Sequence, residues 1–184
     1  MIIVKKLLCK FDATSRPRQS ESRVHPRLRV SITETFMPDL RPTPDLPATD
    51  VLAKIRAINA TAQFNSWCGI EVLRASEGQA EIAMPWRPEA GQYAGFLHAG
   101  LVGALIDTAC GFAAATMVGP VLASHFSVNC LRPAVGERFI ARARVVKPGK
   151  NQVFTTCELF AVVDGDEKLV ATGETLLVPV ANRV

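Results

Sequence analysis

The chain has no Cys-x-x-Cys pair. Its five cysteines, Cys9, Cys68, Cys110, Cys130 and Cys157, are odd in number and scattered over 184 residues. That spacing argues against a disulfide framework. With three histidines in all, it offers no clustered ligand set for zinc, so no metal is expected. A secretory signal is missing too. The first apolar stretch, Met1 to Leu8, is short and broken by Lys5 and Lys6. A reducing, cytoplasmic location is the expectation. Basic excess is lacking where it would matter for nucleic acid. Residues 1–36 hold eight Lys or Arg against three Asp or Glu, and residues 37–184 hold thirteen against fourteen. The body of the chain is near neutral, which excludes a nucleic-acid-binding face. A helix-turn-helix is excluded as well, because the basic leader has little apolar periodicity.

Proline is absent from Leu101 to Gly119, and so is every charge but one. This stretch is rich in Ala, Leu, Ile and Met and reads as a helix, with His98-Ala99-Gly100 at its start and Gly119-Pro120 at its end. It is apolar almost all round, hence a buried helix. Length would allow a membrane span, but Asp107 near its centre, several glycines and the lack of flanking Lys or Arg clusters favour a core helix wrapped by a sheet.

The sheet comes from the flanking segments. Ile70 to Ala75 and Gln79 to Met84 form a hairpin around Glu77-Gly78. After the helix come strands over Val121 to Leu131, Arg138 to Val146, Gln152 to Val163 and Lys168 to Val178. Turns at Ala134-Val135-Gly136, Pro148-Gly149-Lys150 and Asp164-Gly165-Asp166 join them. Such short links favour an antiparallel meander. Asp50 to Gln63 reads as a short helix capped by Thr49 or Asp50. The expected class is α+β, a curved antiparallel sheet around one central apolar helix. This domain spans residues 47–184. Residues 1–46 are a basic, Pro-rich leader, and Met37 is the expected physiological start, the alternative being a genuine disordered tail.

Asp107 is the centre of interest. A carboxylate in an apolar helix costs several kcal/mol unless it is paired or used. It could bond a neighbouring backbone group, and His98 could simply cap the helix. The other option is chemical. The first turn of a helix offers unpaired N–H groups and partial positive charge, which suits a carbonyl oxygen gaining charge. Ala99 and Gly100 are small enough to let a substrate near that backbone. Asp107 would then be a general base on water or a nucleophile. Nine residues separate Asp107 from His98, roughly 13.5 Å along the axis and half a turn around it. A site using both must join two subunits. Cys110, inside the helix, reads as a small hydrophobe more than as a nucleophile.

The pattern Gln92-x-x-Gly95-x-x-His98-Ala99-Gly100, with Asp107 seven residues on, resembles the signature of the PaaI-like branch of the hotdog-fold acyl-CoA thioesterases. Leu131-Arg132-Pro133-Ala134, Val146-Lys147-Pro148-Gly149-Lys150 and Val170-Ala171-Thr172-Gly173 match in kind and order. The resemblance covers about residues 50–180. It implies a hotdog fold, hydrolysis of an acyl-CoA to an acid and CoA, and a homodimer or homotetramer with shared sites. It implies no metal and no cofactor beyond the CoA of the substrate, and no nucleic acid or membrane partner. Asp107 would polarise water or form a transient anhydride, and the Ala99 N–H would hold the thioester oxygen, beside Gly100. Gln92 and His98 would orient thioester or water. Ala99 stands where glycine is more usual. Where many relatives carry Ser or Thr on the following strand this chain has Ala123, and Ser124 would face the other way. Arg132, Lys147 and Lys150 are the candidate CoA contacts, and Phe96, Tyr93 and Leu97 the candidate acyl lining. A non-catalytic acyl-CoA-binding protein is the alternative from another class. A hotdog dehydratase or hydratase lacks support, since those motif patterns are missing.

A chain shortened to begin at Met37 should fold and melt like the full one, because the leader has little apolar surface to bury. Thermal melts of both chains check this. A melting point lower by many degrees after truncation would contradict it.

Overall fold

In the computed structural model, residues 51–180 are described. The leader, the cap at Thr49 or Asp50 and the domain's first residues lie outside them. Two short helices, α1 (Val51–Thr61) and α2 (Gln63–Cys68), precede strands β1 (Glu71–Ser76) and β2 (Gln79–Pro85). A single 3-10 turn, Pro88–Ala90, leads to the long helix α3 (Ala99–Val118). Strands β3 (Val121–Cys130), β4 (Arg138–Lys147), β5 (Val153–Val163) and β6 (Asp166–Pro179) follow. The single helix expected up to Gln63 breaks at Ala62, whose backbone is extended, and α2 restarts the turn. Gly69, at φ +69°, closes α2 in the left-handed conformation that glycine takes without strain.

All six strands form one antiparallel sheet in the order β1-β2-β4-β5-β6-β3. Both tight hairpins use paired left-handed residues, Glu77-Gly78 and Asp164-Gly165, which match the right-handed twist of the strands they join. The meander holds for β4-β5-β6 but fails at β3. That strand pairs with β6 at the far edge, while β4 pairs with β2. The reason is α3, which carries the chain across the width of the sheet between β2 and β3. The link 131–137 is therefore a crossover, not a hairpin turn.

The sheet curls round α3, which packs against every strand. Leu105, Ile106, Ala109, Cys110, Ala113 and Ala114 are buried on it. Although α3 is long and apolar enough to cross a membrane, its surroundings are those of a core helix. The closest approach is at Gly173 of β6. A Cβ there would lie 2.5 Å from the Ser127 carbonyl oxygen and 2.7 Å from Ile106 Cγ2. Glycine lets Ile106 seat directly on the sheet. At the other end of α3 the Thr116 hydroxyl accepts the Gly78 N–H at 2.7 Å. That bond ties the helix to the first hairpin.

The two sheet edges differ. On the β1 side, α1 bonds the outer backbone: Arg56 Nε donates to the Val72 carbonyl and Asn59 Nδ2 to that of Ile70. A bulge between Val72 and Arg74 further interrupts that edge. On the β3 side no strand follows among the described residues, and Leu122 and Phe126 are exposed. On the outer face Arg142 bridges Glu81 and Glu167 and lies over the Phe160 ring.

Gly173→Ala should destabilise the fold by about 1–3 kcal/mol, since the carbonyl it meets is backbone and cannot swing away. Urea unfolding measures this. An unchanged midpoint would show that the sheet can relax.

Candidate active site

The loop from Gly91 to Leu97 folds back on itself before α3 begins. Gly91 and Leu97 form a bridge, and the Gln92 N–H donates to the Phe96 carbonyl. The Gln92 side chain turns inward on the loop, its Oε1 accepting the Ala94 N–H at 2.6 Å. Its amide nitrogen is left as the free end. Leu97 N–H to the Ala134 carbonyl and His98 N–H to that of Ala90 pin the loop to its neighbours.

His98 is the N-cap of α3. Its Nδ1 accepts the Gly100 N–H at 2.9 Å, and its carbonyl accepts the N–H groups of Leu101 and Val102. The capping role is thus real, and it fixes the imidazole with Nε2 outward. The N–H groups of the first turn are accounted for except one. Among the described residues the Ala99 N–H meets no acceptor. It stands at the positive end of a 20-residue helix.

That end of α3 borders a cavity of about 230 Å³. Gln92, Phe96 and Leu97 of the loop and Ala99 and Val102 of the helix form one side. The other side is Cys130 to Ala134 with Val170 and Ala171. The two motifs matched only in kind by sequence, Leu131 to Ala134 and Val170 to Gly173, are joined here. The N–H groups of Leu131 and Arg132 both donate to the Val170 carbonyl. Of the candidate residues, Gln92, Ala99 and Arg132 share this cavity, with His98 and Gly100 at its edge. Tyr93 does not line it. Its ring is fully exposed, because the tight 92–95 turn throws it outward. Cys130 was missed, having no motif of its own. Lys147 ends β4, about 30 Å from Arg138 at the usual rise of ~3.3 Å per residue, and Lys150 lies three residues past it.

Asp107 also stands apart from the cavity, eight residues along α3 from Ala99, or about 12 Å. Its helix stripe is that of Gly103, which lies against Phe126 and Val128 of the edge strand β3. Its Oδ1 is buried and has no hydrogen-bond partner. Desolvation raises its pKa above the ordinary carboxylate value. The structural option, a pairing with nearby backbone, is therefore not what the helix shows. Ser124 sits at the bulge between Ala123 and His125, and its hydroxyl donates to the Leu176 carbonyl. Cys110 is fully buried in the core. It lies twelve residues from His98 and far from the cavity.

A curled antiparallel sheet around a single apolar helix, with an unpartnered carboxylate on that helix, defines the hotdog class. A profile of the Thioesterase superfamily matches residues 94–168. A candidate esterase of Halobacterium salinarum is 32% identical over 112 residues, spanning 56% of this chain and 74% of its own. A second, from Saccharolobus solfataricus, is 25% identical over 111 residues, 59% of this chain and 77% of its own. The crystal structure of a thioesterase family protein from Silicibacter pomeroyi superposes with a TM-score of 0.68 at 37% identity, covering 70% of this chain and 97% of that one. The chain belongs to the thioesterase superfamily, with the hotdog fold and a hydrolase chemistry of the thioesterase or esterase type.

The raised pKa of Asp107 has a stability consequence. Its folded-state value lies above its unfolded one, so the charged form is penalised in the fold. Stability is fully present below the ordinary value near ~3.9 and is lost as pH rises through the raised one. Asp107→Asn should therefore melt at or above the wild type at neutral pH, with the gap closing as pH falls. A mutant that melts lower at every pH would mean that the carboxylate holds the fold together.

Proposed function

We propose that the protein is an acyl-CoA thioesterase of the PaaI-like branch, acting in the cytoplasm without a metal or added cofactor. One observation carries this reading. α3 holds a buried, unpartnered carboxylate oxygen at Asp107 and an unpartnered N–H at Ala99, and the two are too far apart to serve one substrate within a chain.

Two copies resolve the separation. With their α3 helices antiparallel, Asp107 of one chain comes opposite the α3 start of the other. The open β3 edge and the Asp107 stripe behind it supply the surface for such pairing. The same rotation carries Lys147 and Lys150 toward the partner's cavity, where they join Arg132 as contacts for the CoA phosphates. The assembly is a homodimer or a pair of dimers, with no nucleic acid or membrane partner.

In the shared site the thioester carbonyl accepts the Ala99 N–H, with Gly100 leaving room beside it. The Gln92 amide and the His98 Nε2 orient thioester and water. Asp107 of the partner chain takes a proton from water, which attacks the carbonyl carbon. Negative charge then develops on the oxygen at the helix start, where the dipole favours it. The C–S bond breaks, and CoA leaves as the thiolate, which is a good leaving group. Direct attack by Asp107, giving an anhydride that water then opens, uses the same placement.

Asp107→Asn should lower kcat by roughly two to four powers of ten with a much smaller change in KM. Asp107→Ala and His98→Ala proteins, each inactive alone, should regain activity when mixed and allowed to exchange subunits, because hybrid dimers hold one intact site. Steady-state kinetics on an acyl-CoA checks both. A stable Asp107→Asn protein with near-normal turnover would instead favour a non-catalytic acyl-CoA-binding protein.

A further inference from the structure

The middle of α3 is buried except along one line. Leu101, Ala104, Asp107, Thr108, Gly111 and Ala115 are half-buried, and every helix position between them is buried. Steps of three and four residues put this set on one stripe of the helix. The stripe has room beside it, since a Cβ added at Gly111 would meet nothing within 4 Å. Its only polar side chains are the Asp107 carboxylate and the Thr108 hydroxyl.

Thr108 differs from the other hydroxyls around α3. A helical threonine commonly returns its hydroxyl to a carbonyl three or four residues back. Thr116 does so, donating to Ala113 at 2.7 Å while accepting the Gly78 N–H. The Ser124 hydroxyl donates to the Leu176 carbonyl and that of Thr155 to the Thr175 carbonyl. The Thr175 hydroxyl has no partner, but it is sealed in the core. Thr108 makes no hydrogen bond among the described residues and is half-buried. Asp107 is half-buried too, with Oδ1 alone sealed off. Two adjacent residues of one helix thus present an uncommitted acceptor each at the same opening.

On the thioesterase reading above, on which this inference rests, that opening receives the thioester and the partner chain's helix start. A general base takes one proton of the attacking water. Holding the other fixes a lone pair toward the carbonyl carbon. We infer that the Thr108 hydroxyl is that second acceptor, a water-positioning residue for the hydrolysis that Asp107 drives. The water donates one hydrogen to Asp107 and the other to the Thr108 oxygen, whose own hydrogen rotates aside. The water oxygen then bonds the carbonyl carbon, and the proton beside Asp107 passes to the carboxylate. The C–S bond breaks, and its electron pair leaves on sulfur. Asp107 and Thr108 share one turn of one chain, so their spacing does not depend on how two chains dock. Gln92 and His98 reach the same site from the other chain.

The test compares the full chain with Thr108→Val, Thr108→Ser and Asp107→Asn on an acyl-CoA. It reads steady-state rates, thermal melts, and the products formed when hydroxylamine is added as a competing nucleophile. Valine keeps the shape of threonine without the hydroxyl, and serine keeps the hydroxyl. Thr108→Ala stands in should the valine variant not fold. Thr108→Val should melt like the wild type and lose about ten- to a hundredfold in kcat, with KM little changed. Thr108→Ser should recover most of that loss. Acyl transfer to hydroxylamine does not use the held water. The ratio of hydroxamate to acid should therefore rise several-fold in Thr108→Val, after the reaction without protein is subtracted. Wild-type kcat in Thr108→Val beside an inactive Asp107→Asn would overturn the role of Thr108 and leave the thioesterase reading standing. An unchanged product ratio, with or without a lower melting point, would make Thr108 a packing residue and overturn it as well. Turnover retained by Asp107→Asn, or a wild type inert toward every acyl-CoA offered, would remove the thioesterase reading and the water site with it.

Discussion

The close seating of α3 on the sheet is the constraint on which the rest depends. An apolar helix of 20 residues has to be covered on nearly all sides. One sheet can do that only by curling round it and letting the backbones approach. Gly173 under Ile106 and Gly78 beside Met117 are where that approach is tightest. Once the helix is held so firmly, its two ends have fixed surroundings. The start faces the loop from Gly91 to Leu97 and the crossover from 131 to 137. The far end is tied to the first hairpin through Thr116. Ala99 and Asp107 ride on one rod, so the spacing between them along the helix is fixed.

The same seating explains why Asp107 is expensive. Most carboxylates in folded proteins are solvated or paired. This one has an oxygen shut away from both. Among the described residues nothing bonds that oxygen to offset the desolvation, and its proton affinity rises. A folded protein tolerates such a cost at few places. Here the tolerance sits on the face of α3 that looks toward the open edge of the sheet.

Much of this was legible from the amino acids. The apolar run interrupted by one acid identified α3, and turn chemistry at Glu77-Gly78 and Asp164-Gly165 set two hairpins to within a residue or two. The order of the strands was less legible. Link length suggested that β3 and β4 should pair, and nothing local records that α3 deposits β3 on the far edge. The break at Ala62 was hidden for a similar reason. Propensity runs through it, and the tertiary pull of Asn59 on the Ile70 carbonyl decides the geometry. At the site, the residues with chemical functions stood out. The apolar wall did not, because Val170 and Pro133 look like ordinary core until the crossover brings them together. Tyr93 was misplaced because its spacing from Phe96 says nothing about the tight turn between them.

The unequal edges of the sheet have a consequence for how the protein behaves in a crowded solution. A sheet with two receptive edges can grow without limit, strand upon strand, into a fibre. This one is receptive at β3 and blunted at β1, where Arg56 bonds the Val72 carbonyl and Asn59 that of Ile70, just before the strand. A second chain that docks edge to edge at β3 through a two-fold axis presents only its own blunted β1 to the outside. Growth stops there. For two chains docked at β3, the asymmetry would act as a chain terminator, because the only other edge each pair presents is blunted.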